Sequence, residues 1–185
     1  MTSVDATHQT LCFRPATAAD IPAVVVLVEG TYRGDSSRAG WTTEADLLDG
    51  QRIDADGVRQ SIEADNSRVV LAFDGATLVG CAHIQRRGGI GYFGMFSVLP
   101  NLQGGGLGRK ILAECERQLR QDLSCTEVEM TVLQQRSELI AWYQRRGYRA
   151  TGECRPFPYG DERFGLPRTE DLQFVVLAKA LVTSD

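Results

Sequence analysis

Apolar positions along the chain switch between a spacing of two and a spacing near 3.6 residues, and the switches mark its elements. LCFRPA, 11–16, predicts a short strand. TAADIPAVVVLVEGTY predicts a helix from about Thr17 to Tyr32. Its start carries two competing signals: Thr17 and Asp20 resemble a capping box, while Pro22 prefers the first turn. Residues 36–52 are polar and broken by Gly40 and Gly50, which reads as loop with a helical turn near Glu44 to Leu48. DADGVRQSIEA predicts a modest helix over 54–64. RVVLAF and TLVGCAHIQ form two β-rich runs joined at Asp74-Gly75, the signal of a hairpin with a type I′ turn. Gly88-Gly89 leads into a third run, Ile90 to Val98, which Pro100 ends.

A glycine-rich loop follows, then a helix from about Leu107 to Gln121 with Leu107, Ile111, Leu112, Cys115 and Leu119 on one face. CTEVEMTVL predicts a strand over 125–133, and RSELIAWYQRR a helix that Gly147 caps. YRATGEC reads as a strand, residues 155–167 as a proline- and aromatic-rich loop, and DLQFVVLAKAL as a last strand. That strand is apolar on both faces and therefore central or covered. The order predicts one α/β domain over residues 11–182, following a flexible N-terminus at residues 1–10. Its sheet is mixed, mostly antiparallel and of about seven strands, with helices on both faces.

Composition narrows the function. A chain of 185 residues with net charge −4 gives no electrostatic reason to expect nucleic acid. Nearly all its basic residues are arginines, which suit planar recognition of phosphates; the lysines are Lys110 and Lys179. Five cysteines, none in a CxxC pair, read as buried free thiols in a reducing compartment. Two histidines without paired thiols argue against zinc, so no metal is expected. The polar start and the lack of any apolar run near ~18 residues predict a cytoplasmic protein without a membrane partner.

The stretch MFSVLPNLQGGGLGRKIL carries the chemistry. Four glycines fall within five positions, Gly104 to Gly108, directly before a helix. Orphan N–H groups at a helix start and the helix dipole together attract an anion, and glycine lets it come close. A P-loop would need Lys-Ser/Thr after its last glycine, yet Gly108 is followed by Arg109-Lys110-Ile111. A G-x-G-x-x-G dinucleotide fingerprint fails as well: counted from Gly104 its last position is Arg109, counted from Gly106 it is Ile111. A tight turn alone would need only one or two glycines.

QGGGLG, Gln103 to Gly108, does match Q/R-x-x-G-x-G/A, and through it the chain resembles the GCN5-related N-acetyltransferase (GNAT) superfamily. MFSVLPNLQ resembles the superfamily's fourth strand running into the loop. AWYQRRGY resembles its fourth helix and the start of its sixth strand. FRPATAADIPAVVVLVE looks like its opening strand and helix. The resemblance spans Phe13 to Leu181, with its specific motifs between Met95 and Tyr148.

It implies a GNAT-like sheet splayed at the fourth and fifth strands, and transfer of an acetyl group from acetyl-CoA (coenzyme A) to an amine by direct attack in a ternary complex. The acceptor would be a small-molecule or peptide amine. The pyrophosphate would rest on Gln103, Gly104, Gly105, Gly106, Leu107 and Gly108. Arg109 and Lys110 would face phosphate charge or simply form a solvated helix face. Open backbone groups of Phe96, Ser97 and Val98 would serve the pantetheine arm, with a donor near Val98 for the oxyanion. Gly94 marks either a bulge or a lack of packing room. Tyr143 would donate to the departing sulfur, or else is an amphipathic core residue.

The general base stays open among Glu44, Glu127, Glu129, His83 and a water chain. Arg136 stands where relatives often carry an asparagine. Loops 32–52 and 155–167 fall where relatives build the acceptor pocket. Trp41, Phe157, Tyr159 and Phe164 offer apolar walls there, and Glu44, Asp161 and Glu162 offer charge for an ammonium. Arg33, Arg38 and Arg52 would instead suit a carboxylate. A non-catalytic acetyl-CoA-binding module, a longer acyl donor and a homodimer are open alternatives.

Overall fold

Hydrogen bonding between the alternating runs builds one seven-stranded sheet in the computed structural model, which describes residues 11–181. The N-terminal segment expected to be flexible, residues 1–10, lies outside the described residues. In chain order the strands are β1 (Cys12–Pro15), β2 (Ser67–Asp74), β3 (Thr77–Arg87), β4 (Ile90–Val98), β5 (Glu127–Leu133), β6 (Arg149–Pro156) and β7 (Gln173–Ala180). Their spatial order is β1-β2-β3-β4-β5-β7-β6. β7 is thus internal, which explains its apolar faces. The helices of two turns or more are α1 (Ile21–Tyr32), α2 (Ala55–Glu63), α3 (Leu107–Gln121) and α4 (Ser137–Gln144), with a single helical turn at Gly34–Ser37 after α1.

Alternation along β2 shows how the layers divide. Val70 and Ala72 join the core under α3 and α4, whereas Val69 and Leu71 join the one under α1 and α2. Two strand glycines let α3 sit close. A Cβ at Gly80 would lie 2.5 Å from the Ile111 side chain, and one at Gly91 would lie 2.8 Å from Leu119.

Both start signals of α1 are satisfied, by different elements. The Thr17–Asp20 box caps a single 3₁₀ turn, Ala18–Asp20, and Pro22 sits in the first turn of α1 itself. The β2–β3 turn departs from expectation. Asp74 pairs with Thr77, so the two loop residues are Gly75 and Ala76. Only Gly75 takes a positive φ, +57°, the pattern of a II′ rather than a I′ turn. β6 runs two residues further than expected, to Pro156. The thiols also divide: Cys81, Cys115 and Cys125 are buried, while Cys12 and Cys154 are exposed on the two edge strands, β1 and β6.

All strand pairs are antiparallel except β4 with β5. That parallel pairing covers only Ile90–Tyr92 against Glu127–Glu129. From Phe93 onward the two strands part, and the sheet opens as a V. A bulge deepens the opening. His83 pairs with Gly94 and Cys81 with Ser97, leaving Met95 and Phe96 opposite Ala82 alone. The strained residue is Met95, at φ +51°. Gly94 has a separate reason, since a Cβ there would run into the Tyr92 ring.

Candidate active site

Two cavities meet at the splay. The first, of about 280 Å³, is bordered by Gln103, Gly104, Gly106, Gly108 and Arg109, by Phe96 and Val98, and by α4 and the arginines after it. The second, of about 240 Å³, lies between β4, β5 and the loops after α1 and β6. Tyr32, Phe96, Arg136, Leu139 and Tyr143 border both.

The backbone of the first cavity is arranged by its glycines. Gly104 and Gly106 both stand at φ +86°, a region only glycine enters freely, and a Cβ at either would meet nothing within 4 Å. Gly106 is the N-cap of α3. The open side of the loop therefore faces the cavity, with orphan N–H groups of the helix start behind it. The Gln103 amide donates to the Val98 carbonyl at 3.1 Å, tying the loop to the end of β4, and its own Oε1 is buried without a partner. Gly105 and Leu107 do not border the cavity; Leu107 turns into the core instead.

Cations gather at this end. Arg109, Arg145 and Arg146 line the cavity. The Arg146 guanidinium carbon lies 3.5 Å from the Trp142 ring centre, and its Nε is buried and unpartnered. Burial, then the like charges of Arg145 and Arg109, lower the Arg146 pKa. An arginine whose charge is disfavoured by burial and by neighbouring cations is suited to an anion. With the open glycines and the orphaned Gln103 Oε1, these residues fit the pyrophosphate and amides of coenzyme A.

On β4, the Leu99 N–H donates to the Val79 carbonyl at 3.0 Å. Alternation then turns the backbone groups of Val98 away from β3, into the splay. Ser97 is turned the other way; its side chain is buried and its Oγ donates to Met95 at 3.3 Å. The carbonyl of Phe96 is already occupied, accepting from the Tyr32 hydroxyl at 2.6 Å.

Tyr143 sits at the junction, 4% exposed, edge-on to Trp142 and Tyr148. Among the described residues its hydroxyl has no hydrogen-bond partner. Burial first, with Tyr32 adding, pushes its pKa well above the ordinary tyrosine value; Arg136 and Arg146 pull the other way. At neutral pH it is a neutral O–H donor.

The second cavity is aromatic and cationic. Phe157, Phe164 and Phe174 form its walls, and its charged residues are Arg33, Glu44, Arg52 and Arg136. Glu44 is buried between two guanidiniums, 2.7 Å from Arg33 and 2.9 Å from Arg136. Burial raises its pKa, but Arg136, Arg52 and Arg33 outweigh that and hold it below the usual value. It lines the second cavity, yet it has no charge to spare for an ammonium and is a poor base. Arg136 reaches Glu44 and, at 2.5 Å, the Thr42 hydroxyl.

Other expected wall residues lie elsewhere. Trp41 borders the first cavity. Tyr159 spans Leu172 N–H and the Thr169 carbonyl and borders neither cavity. Arg38 pairs with Asp46 on the surface, and Asp161 with Arg163. His83 is held by the Ser67 hydroxyl at 2.7 Å, and burial lowers its pKa to about 4, with Arg87 contributing. Glu129 faces Arg155 at 3.8 Å and lines neither of the two cavities.

A family model described as an acetyltransferase (GNAT) domain matches residues 40–157, well over half of the chain. The chain therefore belongs to the GNAT acetyltransferase family. Solved structures share the fold. The ribosomal-protein-S18-alanine N-acetyltransferase from Escherichia coli aligns over 95% of this chain and 97% of its own, at 13% identity and TM-score 0.68. A chimera of the spermidine N-acetyltransferase SpeG from Vibrio cholerae and hSSAT aligns over 92% and 95%, at 13% identity and TM-score 0.67. An IAA acetyltransferase from Bacillus cereus aligns over 92% and 99%, at 16% identity and TM-score 0.64. A search of curated proteins gave no significant match. No helix among the described residues is long and apolar enough to cross a membrane, and none of their side chains cluster as metal ligands.

Proposed function

We propose that the protein is an acetyl-CoA-dependent N-acetyltransferase acting in the cytoplasm on a small-molecule or peptide amine, without a metal. One observation carries the reading: two cavities of different chemistry, one suited to an anionic cofactor and one to an organic acceptor, share the buried Tyr143 in their walls.

Acetyl-CoA supplies an activated thioester. The Gln103–Gly108 backbone, with Arg109, Arg145 and Arg146, holds its phosphates; the turned-out groups of Phe96 and Val98 border the path of its arm. The Val98 N–H is the donor for the oxyanion. Tyr143 donates a hydrogen bond to the sulfur as it leaves. An ordinary tyrosine, pKa about 10, is a weaker acid than a thiol at about 8.5. Burial widens that gap, so full proton transfer from Tyr143 alone is uphill. Protonation is completed as the amine gives up its own proton. The chamber helps the amine do so. Three guanidiniums against one carboxylate disfavour an ammonium and favour the neutral nucleophile. Water relays that proton from the nitrogen to the sulfur, since Glu44, held ionised by its arginines, is a weak proton acceptor.

The test is a screen of amines, amino acids and N-terminal peptides, scored by thiol release from acetyl-CoA and by the mass of the product. Amine-dependent thiol release, with a product heavier by one acetyl group, is the expected result. Binding of acetyl-CoA with no turnover of any amine would instead identify a binding module.

A further inference from the structure

Among the charged groups of the second cavity, Arg52 stands apart. Arg33 and Arg136 are committed to Glu44, whereas the Arg52 guanidinium has neither a hydrogen bond nor an ion pair among the described residues. It nevertheless borders the chamber and lies 5.0 Å from the centre of the Tyr32 ring. The hydroxyl of that ring bonds the Phe96 carbonyl at the splay, so Arg52 is one tyrosine ring away from the β4 backbone.

Its position is built. The backbone N–H groups of Arg52 and Ile53 both donate to Glu29 Oε1, at 2.6 and 2.7 Å, pinning this segment to α1. Just before it, Leu48–Asp49 pairs with Leu166–Pro167, so the two loops expected on the acceptor side are joined. A second group points the same way. Arg33, also in the wall of this chamber, has its Nε buried without a partner. The Arg52 guanidinium is half-buried at the chamber wall with no hydrogen-bonding partner among the described residues for its planar fork, a geometry that matches a carboxylate. The walls behind it are Phe157, Phe164 and Phe174, which suit an apolar body.

We propose that the acceptor is an amine that also carries a carboxylate, held by Arg52 with an apolar portion against these phenylalanines: an amino acid or a close analogue, with Arg52 setting the specificity. As a statement about the acceptor it rests on the acetyltransferase reading; as a statement about a carboxylate subsite it can be tested without turnover.

Two measurements separate them. In the first, 3-phenylpropionate and its neutral amide are titrated calorimetrically into wild type and Arg52→Gln. The carboxylate should bind wild type at least tenfold tighter than the amide, and Arg52→Gln should bring the ratio near one. Arg38→Gln, whose side chain is paired on the surface, should leave the ratio unchanged. In the second, kcat/KM is measured with acetyl-CoA for phenylalanine, leucine and glutamate against their amides. The acids should win by at least tenfold, chiefly through KM, and the advantage should vanish in Arg52→Gln and be partly kept in Arg52→Lys. Tight, Arg52-dependent carboxylate binding with no amine acetylated would uphold the subsite and remove the acetyltransferase reading. Amides bound and acetylated as well as the acids, or an unchanged ratio in Arg52→Gln, would overturn the subsite and leave that reading standing.

Discussion

The first cavity is made largely of backbone and the second largely of side chains. In the first, glycines at φ +86°, the start of α3 and the end of β4 present backbone groups, with arginines added at the rim. In the second, residues from α1, α4, three separate loops, β4, β5 and β7 together form the wall, and its charged groups all come from the loops. The difference follows from what each must bind. A phosphate group is the same in every use, so a contiguous loop can hold it through dipoles alone. An acceptor is particular, and only side chains can read it.

The contrast can be broken at several points. The largest effect is expected at Glu44. Replacing it with glutamine leaves Arg33 and Arg136 buried and uncompensated, which should cost about 3–5 kcal/mol in urea unfolding. A loss below about 1 kcal/mol would mean the arginine cluster does not organise the second chamber. Tyr143→Phe removes only a hydroxyl from the shared wall. We expect kcat to fall about ten- to a thousandfold with little change in KM. A change under about twofold, with chemistry shown to be rate-limiting, would reduce Tyr143 to a packing residue.

A smaller effect should leave both cavities untouched. His83 borders neither, and its folded-state pKa of about 4 lies below the ordinary 6.5. The unfolded chain therefore binds the proton first. Stability is full above pH 6.5 and declines as pH falls toward 4, by about 2–3 kcal/mol from this group. His83→Gln should flatten that part of the stability profile. An unchanged profile in the variant would assign the decline to other groups.

The same contrast explains what could be read from the chain. The glycine loop, the buried face of α3 and the tyrosine before Gly147 are local patterns, each contained in one segment. Trp142, Arg145 and Arg146 were within reach too, since they flank Tyr143, but a basic pair at a helix end reads first as a C-cap signal. Arg52 and Arg136 stand 84 positions apart, and nothing local in either segment says that both face Tyr32. The loop after α1 also passes both cavities, so Trp41 falls on the first and Glu44, three residues later, on the second. Gly94 attracted the bulge expectation because glycine is the residue most at ease there; the positive φ falls on its neighbour Met95, held between β3 and the core under α1.

Calorimetric titration of coenzyme A tests the central claim most directly, run on wild type, Gly106→Val and Gly108→Val. Gly106→Val puts a branched side chain on a left-handed residue of the loop, at a strain cost of about 1–2 kcal/mol. Gly108 has no positive φ, and its Cβ would project to 3.3 Å from the Phe96 ring, so Gly108→Val narrows the cavity without that strain. Wild type should bind coenzyme A, and both variants, still unfolding cooperatively, should lose most of that affinity. Full affinity in both folded variants would contradict the assignment of the glycine loop as the cofactor site.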